Sequence, residues 1–242
     1  MNATINEDLE ASRANMRPIF IFFRDWLVSH IKVDPAWTML EIGVGPGGFT
    51  PFYAKMVSHY IGLDVDDYSK NYTDIGNVKI IIYNGIEMPL ESASIDLSVS
   101  HSCFEHVSEV GVVLAEAYRV LRPGGHLYLT INPMYYSSWG SHGTLPDHMT
   151  RLPEWDHLNP ASPNYMTDCP PQMVSSGHKG CYLNKLTASQ LLSEIGRLPW
   201  SIVRFERAYE TMLQPPAFAM DQGVAIVDVL CHDIRLLVRK DW

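Results

Sequence analysis

The residues best suited to chemistry are a glycine-rich stretch and one carboxylate downstream of it. The stretch covers residues 41–50, EIGVGPGGFT, and the acid is Asp64. Glycine has no side chain to exclude a ligand and adopts the positive φ of tight turns, so Gly43, Gly45 and Gly47 let the backbone approach a bound molecule. A carboxylate at the end of the next strand accepts hydrogen bonds from both hydroxyls of a ribose. These residues predict a site for an adenosine cofactor.

Histidines form a second group of candidates, because an imidazole with a pKa near ~6.5 exchanges protons at neutral pH. His101 and His106 follow a predicted strand, and the carboxyl ends of such strands face the ligand in an open α/β sheet. His148 and His157 lie in a long segment without regular period. We expect one of these four to act as a general base if the acceptor is a hydroxyl, although His106 is equally suited to capping or packing. An amine or carboxylate acceptor needs no base.

A metal site is not expected. The histidines and acids between residues 142 and 178 have irregular spacing, and no H-x-x-x-H or C-x-x-C pair occurs among them. The possible ligands considered among them are His142, Asp147, His148, Glu154, Asp156, His157 and His178. The four cysteines are expected to be ordinary thiols, as in a reducing compartment: Cys103, Cys169, Cys181 and Cys231.

Length and composition restrict the class of protein. A chain of 242 residues with 46% hydrophobic and 19% charged residues is typical of one soluble globular domain. Its net charge of -9 disfavours duplex nucleic acid, since phosphate contacts need a basic face. Residues 1–10, MNATINEDLE, carry three acids and no base, and no apolar run approaches the ~20 residues of a spanning helix. We therefore expect a cytoplasmic protein with a small-molecule acceptor, no nucleic acid and no membrane; oligomeric state is not predicted.

The elements that must position these residues alternate between strand and helix. Amphipathic spacing predicts an opening helix at residues 10–31, within a helical N-terminal segment at residues 1–36. Strands are predicted at residues 38–42, 60–63, 78–83, 95–100, 126–131, 201–207 and within a β-prone run at 224–238, and helices at 49–58, 110–121 and 186–195. Residues 122–125, RPGG, are expected to stop the helix before them. The alternation predicts an α/β fold with a doubly wound parallel sheet.

The pattern breaks between residues 133 and 185. This segment holds seven of the 16 prolines and four of the 10 histidines. Loops of this length inside a compact domain are usually functional lids or disordered, and the many aromatic residues here favour order. We predict a long insertion after the fifth strand, a substrate lid at residues 133–185, within a single domain at residues 1–242.

The glycines alone also satisfy the G-x-G-x-x-G pattern of dinucleotide-binding proteins, so further motifs must separate the two classes. With those motifs the sequence resembles the small-molecule branch of the class I S-adenosylmethionine-dependent methyltransferases, from about Trp37 to Ile131, and more loosely from Tyr182 onward. The resemblance is carried by Glu41 before the first glycine, the loop GVGPGG, Asp64, residues 84–97 (NGIEMPLESASIDL), residues 102–107 (SCFEHV) and residues 121–125 (LRPGG).

The resemblance implies a Rossmann-like seven-stranded sheet with an antiparallel last strand, and S-adenosylmethionine bound across the carboxyl ends of the first strands. It places the cofactor contacts at Glu41, Gly43, Gly45, Gly47, Asp64, Asn84, Gly85, Ile86 and His101. Asn84 stands where the family usually has Asp, and its carbonyl oxygen is expected to accept from the adenine amino group. The implied reaction is methyl transfer to an oxygen or nitrogen of a small molecule.

Two alternatives stay open. One is a nicotinamide-dependent oxidoreductase, against which stand the downstream motifs and the lack of a Tyr-x-x-x-Lys pair. The other is a non-catalytic cofactor-binding subunit that scaffolds a partner, against which stands the complete set of Gly43, Gly45, Gly47 and Asp64. Binding of each cofactor and a turnover assay separate the three.

Overall fold

The computed structural model describes residues 2–46, 48–141, 152–165 and 183–242, without the side chains of residues 2–9, 11 and 12. The strands are β1 Thr38–Ile42, β2 His59–Asp64, β3 Val78–Ile82, β4 Ile95–His101, β5 Leu121–Ile131, β6 Trp200–Tyr209 and β7 Cys231–Lys240. The helices are α1 Asn2–Val28, α2 Thr50–Tyr53, α3 Val110–Val120, α4 Ala188–Ile195, α5 Ala217–Met220 and α6 Ile226–Leu230. Several predicted residues lie outside the described ones: Gly47, His142, Asp147, His148, Cys169, His178 and Cys181.

All seven strands form one sheet in the order β3-β2-β1-β4-β5-β7-β6. Strands β1 to β5 pair in parallel, and β7 runs antiparallel to both β5 and β6. The order in which strands are added reverses at β1, which pairs with β2 on one side and with β4 on the other. A switch point of this kind is where open α/β sheets bind ligands. The predicted seven-stranded sheet with an antiparallel last strand is confirmed.

Alternating side chains of the strands build two cores on opposite faces of the sheet. Leu40 and Ile42 of β1 pack on the face covered by α3 and α4, whereas Met39 packs on the face covered by α1 and α2. Strand β5 divides in the same way, with Leu127 on the first face and Tyr128 on the second. Because both faces are covered, the central strands are buried on both sides, which accounts for their apolar sequences.

Several predicted boundaries differ from the structure. The helix predicted at 49–58 is the four-residue α2 followed by a 3₁₀ turn at Ala54–Met56, because Asn77 Nδ2 donates to the carbonyls of Ala54 and Val57 at 2.7 and 2.9 Å and ends the turn. Residues 122–125 lie inside β5, since Leu121 already pairs with Ile95 across an irregular register.

The β-prone run at 224–238 begins as a helix. Residues 226–230 form α6, and only residue 231 onward joins the sheet as β7. Val229 of this helix is buried in a third apolar cluster, so tertiary packing outweighs the β propensity of the run.

That third cluster joins parts of the predicted lid to the connection between β6 and β7. Tyr135, Trp155 and Leu158 pack with Ala219 and Val229. A hydrogen bond of 3.0 Å from Ser138 Oγ to Glu210 links the same two segments. The described parts of 133–185 are therefore packed against the domain, while their function as a lid stays a prediction. Among the helices of the described chain, none is both long and apolar enough to cross a membrane.

Candidate functional site

The glycine loop leaves the carboxyl end of β1 in a sharp turn. Gly43 and Gly45 adopt φ of +79° and +57°, values that favour glycine. The backbone N–H of Gly43 donates to the carbonyl of Leu63 at 2.8 Å, which fastens the loop to β2. A Cβ atom on Gly43 would come within 2.8 Å of Cys103 Cβ, whereas one on Gly45 would meet nothing within 4 Å. The space above Gly45 is thus open to a ligand.

Asp64 ends β2 directly beside this loop. Its Oδ2 accepts the backbone N–H of Gly45 at 2.9 Å, and its Oδ1 accepts the backbone N–H of Asp66 at 3.1 Å. The side chain is half-buried. Each carboxylate oxygen has a second acceptor site, so the group can still accept hydrogen bonds from two hydroxyls.

Two side chains from the segment after β2 brace the loop from outside. Tyr72 Oη donates to the carbonyl of Gly45 at 3.0 Å, and Asn71 Nδ2 donates to the carbonyl of Pro46. From the opposite side, Ser100 Oγ of β4 donates to the carbonyl of Ile42 at 2.9 Å. Bonds to three separate elements hold the loop in one conformation. These residues could not be predicted from local patterns, because their partners are more than 20 positions away along the chain.

Glu41 lies beneath the loop. Its side chain is buried, and Oε2 accepts the hydroxyl of Thr50 at 2.5 Å and the hydroxyl of Tyr60. Burial is the main cause that raises the pKa of Glu41 to about 7. Through these bonds Glu41 ties β1 to α2 and β2, while its contact with a cofactor stays a prediction.

The turn after β3 supplies an apolar surface next to Asp64. Gly85 has φ of +78°, and a Cβ there would lie 3.1 Å from Val65 Cγ1. Val65 is 58% exposed and Ile86 36% exposed, so two apolar side chains stand open near the acid. Asn84 Oδ1 already accepts the backbone N–H groups of Ile86 and Glu87, at 2.9 and 2.8 Å. Its role in the structure is to shape this turn.

His101 ends β4 inside an aromatic cluster. Its ring stacks on Phe23 of α1 at 4.8 Å and on Tyr53 of α2 at 5.5 Å. Nε2 is 2.9 Å from the hydroxyl of Tyr53, and Nδ1 is 2.9 Å from that of Thr130. Burial lowers the pKa of His101 to about 3. With both ring nitrogens engaged, His101 is poorly placed to take a proton from an acceptor or to contact a cofactor.

The short turn Phe104–His106 follows β4 and carries the next candidate, His106. The His106 side chain is half-buried, and its backbone N–H donates to the carbonyl of Cys103 at 2.8 Å. Cys103 in turn packs against Gly43 of the glycine loop. His106 therefore lies three positions after a residue that contacts the glycine loop.

The surroundings of His157 do not suit a catalytic base. It is buried, and its Nε2 is 2.7 Å from the carbonyl of Tyr135, its ring standing edge-on to the Tyr135 ring. Burial is the main cause that lowers the pKa of His157 to about 4. These contacts suit a structural role in the third apolar cluster. Within the described ranges, no three His, Cys, Asp or Glu side chains are grouped as a metal site would require.

The site has the features that an adenosine cofactor requires. The loop at Gly45 has room where a side chain would otherwise stand, Asp64 retains free acceptor positions, and Val65 and Ile86 offer an apolar flank for a base. Fold and site are those of the α/β class in which nucleotides bind at the switch point of the sheet.

Comparison with known proteins narrows this class. The family profile described as "Methyltransferase domain" matches residues 40–129. A methyltransferase-like protein of Schizosaccharomyces pombe is 34% identical over 131 residues, 52% of this chain and 48% of that protein. The chain spans about half the length of the curated relatives it matches.

Solved structures with this fold include an S-adenosylmethionine-dependent methyltransferase from Mesorhizobium loti, with a TM-score of 0.57 and 16% identity over 89% of this chain and 96% of that one. The [4+2]-cyclase SpnF is also similar, with a TM-score of 0.56 and 15% identity over 91% and 81%. Residues 40–129 thus match a methyltransferase domain, in agreement with the resemblance that the motifs carry.

Proposed function

We propose that this protein transfers the methyl group of S-adenosylmethionine to an oxygen or nitrogen atom of a small molecule. The observation that carries the proposal is the hydrogen bond between the glycine loop and Asp64. The backbone N–H of Gly45 donates to the carboxylate at 2.9 Å, and the space above Gly45 is open. Both the loop and Asp64 lie within the matched domain at residues 40–129.

The cofactor supplies a methyl group that its sulfonium already makes electrophilic. The contribution of the chain is to bind and orient. Asp64 accepts the ribose hydroxyls, the backbone of residues 43–46 lines the cofactor, and Val65 and Ile86 flank the adenine. Alignment of two bound reactants is worth ~7 to 11 kcal/mol when the geometry is close to attack, so positioning is the main contribution expected of the chain.

A hydroxyl acceptor also needs a base. Of the four candidate histidines, His101 is buried with both ring nitrogens engaged and its pKa lowered to about 3, and His157 is buried with Nε2 engaged and its pKa lowered to about 4. His106 lies on the turn after β4, and His148 falls outside the described residues. We therefore assign the base to His106 or His148 if the acceptor is a hydroxyl, and to neither if it is an amine.

The acidic surface supports a small acceptor. Eighteen basic residues stand against 27 acidic ones, and most ion pairs of the described residues use the arginines. Binding to a nucleic acid backbone needs an excess of basic groups on one face. We place the acceptor beside the segment at residues 133–185, which would exclude water from the reaction as a lid.

The test follows a labelled methyl group. Purified protein is incubated with methyl-labelled S-adenosylmethionine and a cell extract, and the extract is then divided by ultrafiltration into small molecules and macromolecules. The proposal predicts S-adenosylhomocysteine together with label in the small-molecule fraction. Label confined to protein or RNA would contradict the acceptor class.

The Asp64→Ala variant serves as the control for that assay, since it loses the proposed ribose contact. Cofactor binding without any turnover would favour the scaffolding alternative. A shared fold does not fix the reaction. SpnF, which has this fold, is described as a cyclase. Binding of a nicotinamide cofactor in place of S-adenosylmethionine would contradict the proposal entirely.

A further inference from the structure

Arg13 of α1 binds the segment between β2 and β3 through a two-pronged contact. Its Nη1 and Nη2 donate to the two carboxylate oxygens of Asp74 at 3.0 and 3.2 Å, and Nη2 also donates to the backbone carbonyl of Asn71 at 2.8 Å. The Arg13 side chain is 11% exposed and the Asp74 side chain 60% exposed. A planar guanidinium suits this arrangement, because its donors point in fixed directions and reach several acceptors at once.

The opposite side of the same segment holds the glycine loop. Asn71 Nδ2 donates to the carbonyl of Pro46, and the buried Tyr72 donates from Oη to the carbonyl of Gly45 at 3.0 Å. Asn71 is thus bonded to α1 through its backbone and to the loop through its side chain. A single residue separates the Arg13 guanidinium from the loop.

These bonds fix the orientation of Gly45 at both of its peptide groups. The N–H of Gly45 donates to Asp64, and its carbonyl accepts from Tyr72. The arrangement leaves the space above Gly45 open. A loop without these bonds would sample other conformations, and a ligand would have to order it on binding at a cost in affinity.

The contact of Arg13 also ties down the first half of α1. Further along the helix, aromatic packing attaches α1 to the domain, and Phe20 stacks on Phe52 of α2 with ring centres 5.0 Å apart. Among the described side chains of residues 10–19, only Arg13 makes a hydrogen bond to a residue outside α1. The first half of α1 and the glycine loop therefore share residues 71–74 as a common support.

We propose that Arg13 is a positioning residue of the cofactor site. It holds residues 71–74 in the place from which Asn71 and Tyr72 fix the loop, so that Gly45 and Pro46 are ordered before the cofactor binds. The inference rests on the proposed function, since it takes the ligand of the loop to be S-adenosylmethionine or its product. Coupling between two sites is reciprocal, so the bound ligand also holds the first half of α1 against the domain.

The first experiment is calorimetric titration with S-adenosylhomocysteine, which needs no acceptor. Arg13→Gln loses the two-pronged contact, and its affinity should fall about fivefold, the order of one net hydrogen bond. Arg13→Lys keeps the charge but not the planar fork and should lie between the two. Arg17→Gln is the matched control, because it removes the same charge from an exposed position one turn further along α1 and should bind as the wild type does.

A second pair of variants tests the route through the supporting segment. Asn71→Ala combined with Tyr72→Phe removes both bonds to the loop and leaves Arg13 in place. In that background Arg13→Gln should cause no further loss of affinity, because its path to the loop is already cut. The same fivefold loss in both backgrounds would show that Arg13 acts by another route and would overturn the proposal.

Hydrogen exchange of the wild type serves where a variant does not fold. Bound S-adenosylhomocysteine should slow the exchange of amides at residues 10–20, and Arg13→Gln should lose this protection while Arg17→Gln keeps it. If the ligand binds to the wild type and exchange at residues 10–20 does not change, the positioning role is overturned while the proposed function stands. The same holds if Arg13→Gln binds as tightly as the wild type. If neither S-adenosylmethionine nor S-adenosylhomocysteine binds to folded wild type, the proposed function fails and this inference fails with it.

Discussion

The backbone N–H of Gly45 donates to Oδ2 of Asp64 at 2.9 Å. This single bond joins the turn after β1 to the end of β2, so the residue proposed to grip the ribose also shapes the loop that the cofactor touches. Tyr72 Oη completes the arrangement by donating to the carbonyl of Gly45 at 3.0 Å. The loop and the acid therefore act as one unit, and a change in either one is expected to affect both.

Replacing Asp64 by Ala is expected to weaken the binding of S-adenosylmethionine at least tenfold. A hydrogen bond to a charged acceptor contributes ~1.5 to 3 kcal/mol, and the variant loses the ribose contacts and the bond to Gly45. Titration calorimetry measures the change. Glu91→Ala removes an exposed acid and serves as the matched control. Equal affinities of the two variants would show that Asp64 does not bind the cofactor.

Gly45→Ala is expected to abolish cofactor binding at a small cost in stability. A Cβ at Gly45 meets no protein atom within 4 Å, so it projects into the space assigned to the ligand. The strain of a positive φ costs about 1 to 2 kcal/mol. Gly124→Ala is the control, since Gly124 has φ of +80° and equally open surroundings but lies in β5. Melting temperatures should fall alike, and only the first variant should lose binding.

The stability of the protein is expected to depend on pH through Glu41. Its pKa is raised from 4.5 to about 7 in the folded state, so folding favours the protonated form. Its contribution is fully present below pH 4.5 and is lost as the pH rises through about 7, with a slope of at most ~1.4 kcal/mol per unit. Urea denaturation of the wild type and Glu41→Gln from pH 5 to 8 measures the difference.

In that comparison the variant should gain on the wild type as the pH rises, because only the wild type must ionise a buried acid. Contributions from other titrating groups are common to both proteins and cancel. Two curves that run parallel across the whole range would contradict the assignment of a raised pKa to Glu41.

His157→Ala is expected to lower the free energy of unfolding by about 1 to 3 kcal/mol and to leave the methyl-transfer rate of the folded protein unchanged. The imidazole bonds to the carbonyl of Tyr135 at 2.7 Å inside the third apolar cluster. His157→Gln keeps a donor and should recover part of the loss. A selective fall in turnover, with unchanged stability, would instead restore His157 as a base.

Much of the sheet and of the cofactor loop follows from local patterns. The strand at 38–42 is correct to the residue, because a short apolar run closed by glycine suits a strand buried on both faces. The turn at Gly43 and Gly45 and the position of Asp64 at a strand end were predictable for a similar reason, while their contacts with a cofactor stay a prediction. Strand and loop geometry of this kind is decided within a few residues.

The roles of the buried polar groups could not be predicted, since their partners are distant along the chain. His101 depends on Phe23, Tyr53 and Thr130, which lie on α1, α2 and β5. The position of His101 at the end of β4 made it a candidate base. Only the three-dimensional structure shows that both of its ring nitrogens are engaged. The helix at residues 226–230 could not be predicted for the same reason, because its packing with other elements outweighs the β propensity of its sequence.

The most direct test of the cofactor site is a crystal structure of the protein with S-adenosylhomocysteine. The account predicts both ribose hydroxyls within about 3 Å of the Asp64 carboxylate, with the adenine beside Val65 and Ile86 and the chain of the nucleoside over Gly45. A nucleoside bound elsewhere, with the surface of residues 43–46 left to solvent, would contradict it.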